Sequence, residues 1–382
     1  MGANWGHSLR LSIFGESHGK AIGINIDGLA SGIDIDFESI ERDMGRRAPG
    51  KNSFSTQRKE SDSFEILSGI CDGKTTGAPL CAIIRNEDKK SKDYSKLKEV
   101  MRPSHSDYSA YIKYRGYNDV RGGGHFSGRI TAPLVFAGSL AKSILAKKGI
   151  YVGAMIKSIK NIELETPNED RLSKELFDEL AKKELAILDE KKIVEIKEEI
   201  ERARMNQDSV GGTIECFAIG VPAGLGEPFF DSLESSIAHL AFSVPAVKGI
   251  EFGKGFDIAK YYGSEVNDEY YYKNSIVKTK SNNNGGILGG ISNGMPINFK
   301  VAIKPTPSIS KLQHTINIKD KKDCELEIEG RHDPCIVPRA VVVIESIMAI
   351  ALLDKIYEVG GRYELIWSCG KKIGALTISR DT

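Results

Sequence analysis

The sequence of 382 residues lacks several features that would assign it to a familiar class. Its six cysteines include no CxxC pair and no Cys–His cluster at zinc-finger spacing, so no metal site is expected. The N-terminus has no apolar stretch that could act as a signal peptide. The longest apolar run, 340–353, is short for a membrane span and is interrupted by Glu345 and Ser346. We therefore expect a cytoplasmic protein with free thiols and no membrane span.

Excess charge and nucleotide-binding fingerprints are also missing. Lys and Arg (53) nearly cancel Asp and Glu (52), which leaves a formal net charge of +1. A nucleic-acid binder usually carries a basic excess, so no nucleic-acid partner is expected. There is no Rossmann fingerprint. The segment GESHGK at 15–20 fails as a P-loop, because three residues rather than four separate its glycines and Ala21 replaces the Ser or Thr.

Hydrophobic periodicity predicts a mixture of strands and helices. Alternating apolar residues at 9–13 and 22–26 predict two strands joined by the GESHGK loop. The charged residues 171–206 are typical of a solvated helical pair without chemistry. Because the elements do not alternate regularly, we expect one mixed domain over 1–382 rather than a doubly wound sheet. Further helices are predicted at 36–47, 132–148 and 339–357, and further strands at 212–221 and 296–304.

Glycine and arginine are the residues that point to a ligand. The 39 glycines are often clustered, and such clusters either form tight turns or let backbone approach a ligand closely. Arginine offers paired donors that match phosphate and carboxylate, although most arginines are simply solvated. The candidates, most of them beside Gly, Pro or Ser, are Arg42, Arg46, Arg47, Arg58, Arg102, Arg121, Arg129, Arg331 and Arg339.

Two histidines lie in polar loops. His18 follows a predicted strand inside a glycine-bounded loop, where an imidazole can protonate a departing phosphate near neutral pH. A structural hydrogen-bonding role is the alternative for this residue. In RPSHSD, Pro103 stiffens the turn before His105, and Asp107 is placed to orient or charge-balance its imidazole.

Three other stretches combine glycine or proline with polar side chains. RGGGHFSGR at 121–129 precedes an apolar helix, so its amides, Ser127 and Arg129 would form an anion site at the helix N-terminus. RHDPC at 331–335 precedes the last predicted helix. KPTPS at 304–308 is either a stiff cradle for a cofactor phosphate or an ordinary exit from a strand.

Taken together, these stretches resemble the chorismate synthase family over nearly the whole chain. GESHGKAIGINIDG, GHFSGRITAPLVFAGSL and RHDPCIVPRAVVVIESI are similar to its N-terminal, central and C-terminal signatures. RPSHSD, DSVGG, GVPAGLGEP, SVPAVKGIEFG, NNNGGILGGISNG and KPTPS follow in the family's order between them. Three long motifs in order are far more specific than a single glycine-rich loop.

The resemblance implies a reaction and a fold. The family converts 5-enolpyruvylshikimate 3-phosphate to chorismate by anti-1,4-elimination, the last common step of aromatic amino-acid biosynthesis in the shikimate pathway. Phosphate and a C6 hydrogen are lost without net redox change, yet reduced FMN is required to lend an electron transiently to the departing C–O bond. The implied fold is α+β, a β-α-β sandwich with two antiparallel sheets flanked by helices, assembled as a homotetramer.

The resemblance also implies roles for particular residues. His18 would protonate the leaving phosphate, His105 would sit against the reduced flavin and help set its protonation, and Asp333 would assist proton removal through flavin N5. Ser17 and Ser127 would support these groups. The substrate's anions would be held by Arg46, Arg47, Arg58, Arg102, Arg129 and Arg331, with Arg42 as a further candidate. FMN would contact His125, Phe126, Ser127, Pro245, Ala246, Gly289, Lys304, Pro305, Thr306, Pro307, Ser308 and Arg331.

Some positions depart from the commoner family pattern, and two alternative functions remain open. The departures are Ala30, Ser53, the pair His125-Phe126, and Pro307. Because an Arg is frequent at the position of Ser53, a basic contact to a nicotinamide cofactor such as NADPH is not expected there. One alternative is a bifunctional enzyme that reduces its own flavin with NADPH, but the missing Rossmann fingerprint favours an external flavin reductase or reductant. The other, a non-catalytic anion- or RNA-binding protein, is disfavoured by the near-zero net charge.

Overall fold

A computed structural model describes residues 2–50, 61–86, 96–328 and 333–360. The α-helices within these ranges are α1 (Phe37–Arg47), α2 (Asp107–Tyr114), α3 (Thr131–Ala146), α4 (Lys174–Lys182), α5 (Lys192–Met205), α6 (Leu233–Ser243), α7 (Gly263–Val266) and α8 (Val337–Gly360). The strands are β1 (Asn4–Trp5), β2 (Arg10–Gly15), β3 (Ala21–Asp27), β4 (Phe64–Ser68), β5 (Ile70–Cys71), β6 (Lys74–Thr75), β7 (Leu80–Arg85), β8 (Tyr151–Ile159), β9 (Ile162–Glu163), β10 (Gly212–Ile219), β11 (Val247–Phe252), β12 (Tyr270–Lys273), β13 (Ile276–Thr279), β14 (Ile287–Leu288), β15 (Ile291–Ser292), β16 (Ile297–Ile303), β17 (Gln313–Asn317) and β18 (Lys322–Leu326).

Two five-stranded antiparallel sheets frame the molecule. The first has the order β1-β2-β3-β7-β4 and the second the order β11-β16-β10-β8-β9. Helix α3 contacts β3 and β7 of the first sheet, α8 contacts β8 and β10 of the second, and α3 and α8 pack on each other. These two helices therefore lie between the sheets, and α3 approaches α8 so closely at Gly138 that an added Cβ would lie 2.1 Å from Cβ of Ser346.

The apolar patterns of the sequence explain this arrangement. Ile22, Ile24 and Ile26 alternate along β3 and are fully buried on the inner face of the first sheet. Helix α3 is buried on nearly every side, because it is covered by α1, α8 and the first sheet. Residues Gly128–Ala146 are long and apolar enough to cross a membrane, but 83% of this window is buried inside the fold, as in the core helix of a globular protein.

The elements predicted from periodicity are confirmed with small shifts of their ends. Strands β2, β3, β10 and β16 and helices α1, α3 and α8 correspond to predicted segments, and the charged residues 171–206 contain α4 and α5. Asp36 caps α1 as expected, since its Oδ1 accepts from the N–H of Ser39 at 3.0 Å. The short helix α2, which begins at Asp107, was not predicted.

Candidate active site

The His18 loop connects β2 to β3 and packs against the glycine turn at 122–124. The N–H of Ser17 donates to the carbonyl of Gly124 at 3.1 Å, and His18 is buried with 4% of its surface exposed. A Cβ added at Gly122 would lie 2.2 Å from Nδ1 and Cε1 of His18. Only glycine therefore fits beside this imidazole. On the same turn, the hydrogen bond from the Arg121 guanidinium lowers the pKa of Asp119.

The second histidine, His105, is hydrogen-bonded through its Nδ1 to the carboxylate of Asp107. Nδ1 of His105 lies 2.6 Å from Oδ1 of Asp107, whose carboxylate also accepts from Nε and Nη2 of Arg102 at 2.7 and 2.8 Å. Burial raises the pKa of Asp107, but the hydrogen bonds from Arg102 and His105 outweigh it and hold that pKa well below its usual range. The sequence-based hypothesis that Asp107 orients the imidazole agrees with this geometry.

The glycine turn brings the two histidines to one place. All three of its residues have positive φ, at 59°, 85° and 55°, which glycine adopts without steric cost. A Cβ at Gly123 would lie 3.3 Å from Nε2 of His105, one residue along from the position that touches His18. Since Nδ1 of His105 is occupied by Asp107, Nε2 is the ring nitrogen that faces the glycine turn.

A buried pair of arginines lies next to these loops and shares one carboxylate. Nη1 of Arg47 lies 2.9 Å from Asp62, and Arg129 pairs with the other oxygen of the same carboxylate. Arg47 also donates to Thr131 and to the carbonyl of Gly128 at the start of α3. Although burial raises the pKa of Asp62, the two guanidinium groups outweigh it and lower that pKa. Two cations facing one anion leave a positive charge, which suits an anionic ligand.

Asp333 is linked to the arginine pair through Arg339. It forms an ion pair with Arg339, whose Nε donates to the carbonyl of Arg47 at 3.1 Å. This contact places Asp333 near the end of α1. Arg58 and Arg331, which the family resemblance assigns to the substrate, lie outside the described residues.

Arg46 is in a different place from its neighbour Arg47. Its guanidinium binds both oxygens of Glu345 at 2.7 Å and contacts Asp43 at 3.3 Å, in a buried cluster that Lys142 completes. The cluster joins α1, α3 and α8, so the Arg46 guanidinium is engaged with Asp43 and Glu345. Arg42, the further candidate, contacts Ser39 and Asp43 and is half exposed.

Several of the residues expected to contact a flavin are joined to the His105 loop. The loop 304–308 contacts the His105 loop through two hydrogen bonds. Nζ of Lys304 donates to the carbonyl of Ser104 at 2.8 Å, and Oγ of Ser308 accepts from Nη1 of Arg102 at 3.4 Å. The N–H of Lys304 donates to the carbonyl of Ala246. Gly289 lies in the turn between β14 and β15. Of the other members, Nδ1 of His125 lies 2.8 Å from the carbonyl of Gly15 and Phe126 packs near Tyr114.

Two buried hydroxyls in these loops are candidates for contacting a ligand. Within the described ranges, Oγ of Ser17 and Oγ1 of Thr306 have no hydrogen-bond partner. A buried hydroxyl without a partner carries a desolvation cost, which a bound polar group would offset. Two cavities of about 410 Å³ each lie elsewhere, one beside Glu251 and Lys300 and the other beside Trp5. Because none of the loops above lines them, we place the site by its chemistry rather than by cavity size.

Sequence reasoning missed Asp62 and Asn86. Asp62 lies in a polar stretch of the sequence that carries no chemical motif, and it adopts a positive φ of 51° and pairs with two arginines. Asn86 follows β7 and contacts both Arg129 and the His18 loop. No periodicity or motif signals either residue. The available signal was the set of arginines beside Gly, Pro or Ser, since any of them that is buried requires a carboxylate, amide or carbonyl acceptor.

Two histidines beside one glycine turn and a buried arginine pair, on an α+β frame, are features of an enzyme that acts on an anionic substrate. A family model described as chorismate synthase matches residues 9–357. Chorismate synthases of Thermococcus kodakarensis and Pyrococcus abyssi are 45% and 46% identical over 349 residues, 91% of this chain and 96% of each relative. A crystal structure of a chorismate synthase aligns with a TM-score of 0.73 and 32% identity over 94% of both chains.

The chain belongs to the chorismate synthase family. It is a lyase that eliminates phosphate from 5-enolpyruvylshikimate 3-phosphate to give chorismate, in the biosynthesis of aromatic amino acids. Membership of the family implies a flavin cofactor. The resemblance seen in the three signatures of the sequence is thus confirmed.

Proposed function

We propose that the two histidine loops and the arginine pair are the place where phosphate leaves the substrate, with His18 as the acid that protonates it. The observation that carries this proposal is the contact of one glycine turn with both His18 and His105. A buried imidazole beside a cluster of cations meets a phosphate in a site with little water, where each electrostatic contact is stronger. Ser17 and Ser127 support the two histidines, Ser17 through its buried hydroxyl.

The substrate's phosphate and carboxylates are proposed to bind Arg47, Arg102 and Arg129. Each of these guanidinium groups is buried and held in place by a carboxylate, Asp62 or Asp107, so it is oriented before a ligand arrives. Arg58 and Arg331 join them on the family resemblance. Arg46, which is engaged with Glu345, would assist by fixing the end of α1 that carries Arg47.

We propose reduced FMN as the flavin. When bound, it supplies electron density to the departing C–O bond. The residues present fit a flavin phosphate and ring, because Thr306 offers a buried hydroxyl and the loop 304–308 is tied to the His105 loop. The chain's own groups would hold it, with His105 facing the ring and Asp333 assisting removal of the C6 hydrogen. The proposed contacts are His125, Phe126, Ser127, Pro245, Ala246, Gly289, Lys304, Pro305, Thr306, Pro307, Ser308 and Arg331.

The assembly and surroundings of the enzyme are also proposals. We propose that the layered order of sheet, helices and sheet is the β-α-β sandwich of the family, with helices between the sheets, and that four copies form a homotetramer. We place the enzyme in the cytoplasm, with its flavin reduced by an external flavin reductase or reductant rather than by NADPH bound to this chain.

The function is tested by anaerobic conversion of 5-enolpyruvylshikimate 3-phosphate to chorismate with photoreduced FMN. We expect turnover with reduced FMN and none with oxidised FMN. His18→Ala and His105→Ala should each lower kcat by about 10- to 10⁴-fold, the range of acid–base groups, while the protein still folds. Unchanged turnover in both variants would remove the assigned roles. Turnover with NADPH and FMN alone would instead identify a bifunctional enzyme.

A further inference from the structure

Asn86 is a buried residue that contacts both halves of the proposed site. It follows β7 directly and is 6% exposed. Its Oδ1 accepts from Nε of Arg129 at 3.1 Å, and its Nδ2 donates to the carbonyls of Glu16 and Gly19 at 3.0 and 3.1 Å. The oxygen of this one amide thus accepts a hydrogen bond from the arginine pair, and its nitrogen donates two hydrogen bonds to the His18 loop.

The chemistry of these partners fixes the orientation of the amide. A guanidinium can only donate and a backbone carbonyl can only accept, so the oxygen must face Arg129 and the nitrogen must face the loop. Both amide hydrogens have an acceptor, and the flipped amide would lose all three hydrogen bonds. Of residues this size, aspartate has no donor for the carbonyls and leucine has neither donor nor acceptor.

The two carbonyls that Asn86 binds lie on either side of His18. Glu16 and Gly19 close the turn through a hydrogen bond from the N–H of Gly19 to the carbonyl of Glu16 at 2.9 Å. The backbone N–H of Asn86 donates to the carbonyl of Lys20 at 3.3 Å, which extends the pairing of β3 with β7 up to this turn. Asn86 therefore holds the turn from outside, against the end of a rigid strand.

We propose that Asn86 is a positioning residue that keeps the acid His18 at a fixed place relative to the substrate-binding Arg129. This inference rests on the proposed roles of His18 and Arg129. Proton transfer to a leaving group requires placement within about 0.5 Å, which a flexible loop on its own does not provide. Asn86 does not contact the reacting atoms; it acts through the two residues that do.

The decisive variant is Asn86→Asp, which keeps the acceptor for Arg129 and removes both donors to the turn. A carboxylate would then face the carbonyls of Glu16 and Gly19, and their repulsion would displace the turn that carries His18. We expect kcat to fall by about 10- to 100-fold, within the range that a misplaced acid costs. KM for the phosphate ester should also rise, because the added carboxylate offsets the positive charge of the arginine pair, so the effect on His18 is measured as kcat at saturating substrate.

A double-mutant cycle distinguishes positioning from a general structural effect. If Asn86 acts through His18, then Asn86→Asp should lower kcat by less than about twofold in the His18→Ala background. Equal losses in both backgrounds, or no loss in the native background, would overturn the inference. If His18→Ala loses activity but Asn86→Asp has the same effect in both backgrounds, only the role of Asn86 is overturned. If His18→Ala keeps its activity, the proposed function is overturned as well.

A matched control tests whether the loss comes from the His18 turn or from replacing any side-chain amide by a carboxylate. Asn298→Asp replaces another donating amide, which lies beside Glu215 in the second sheet, and it should leave kcat within about twofold of the native value. If Asn86→Asp does not fold, Asn86→Ala enters the same cycle, because it removes both donors without adding a charge. An additive result with that variant would likewise overturn the inference.

Discussion

At the residue scale, Gly122 is the glycine that lets the 122–124 turn pack directly against His18. Its φ of 59° is in the left-handed region. The His18 ring occupies the volume in which a side chain at position 122 would lie. Two constraints therefore require glycine at this position: the positive φ of the turn, and the lack of room for a Cβ beside the imidazole. The sequence indicated only the first, since a run of three glycines is also what an ordinary tight turn would use.

We expect Gly122→Ala to abolish most of the activity. The new Cβ would lie 2.2 Å from the His18 ring, so the imidazole must move, and kcat should fall by about 100-fold or more. Gly73→Ala is the control, because Gly73 has a similar φ of 75° but nothing within 4 Å of the added Cβ. Both variants bear the left-handed strain of about 1–2 kcal/mol, and only Gly122→Ala should lose turnover. Equal turnover in the two, measured in the anaerobic assay, would contradict this account.

At the scale of elements, helix α8 binds the segment that leads into the first sheet. Asp354 in this helix is 1% exposed and accepts hydrogen bonds from the N–H groups of His7, Ser8 and Leu9 at 2.7–3.2 Å. These residues lead into β2, the strand that carries the His18 loop. An element that the sequence predicted as a plain apolar helix thus also anchors the first sheet.

Asp354→Ala should destabilise the fold without touching the chemistry. It leaves three backbone N–H groups without their carboxylate, and we expect the free energy of unfolding to fall by about 2–4 kcal/mol in urea denaturation. Asp257→Ala, at an exposed pair with Lys260, should change it by less than about 1 kcal/mol. A loss in Asp354→Ala no larger than in this control would show that the anchor is unimportant.

At the scale of the whole molecule, buried carboxylates make the fold sensitive to acid. Burial raises the pKa of Asp43, but Lys142 and Arg46 outweigh it and lower that pKa to about 2. The pKa values of Asp62, Asp107 and Glu345 are lowered in the same way by the cations that face them. The fold therefore holds these particular ion pairs inside, where protonation of the carboxylate leaves a buried cation.

We expect stability to be constant from about pH 7 to 5 and to fall below about pH 4. Each lowered pKa adds stability that is present above the unfolded value near 3.9 and is lost as pH drops toward the folded value, because the unfolded chain then binds more protons. For Asp43 the window is about pH 4 to 2. Urea denaturation of Asp43→Asn at fixed protein concentration should show a slope smaller by about 1.4 kcal/mol per pH unit in that window. An unchanged slope would mean that Asp43 does not titrate as described.

The sequence by itself determined the family, the principal strands and helices, and the loops that bear His18, His105 and the arginines. It did so because periodicity, caps and glycine runs are local signals, and because long motifs in order are specific. Only the tertiary structure decided which arginines join the proposed site: Arg47 pairs with Asp62 beside Arg129, whereas Arg46, its neighbour on α1, lies in a buried cluster with Glu345. Adjacent helical residues point about 100° apart, and what each one meets is set by elements distant in the chain. For the same reason Asn86 could not be foreseen, since its three partners come together only when β7, the His18 loop and Arg129 are packed.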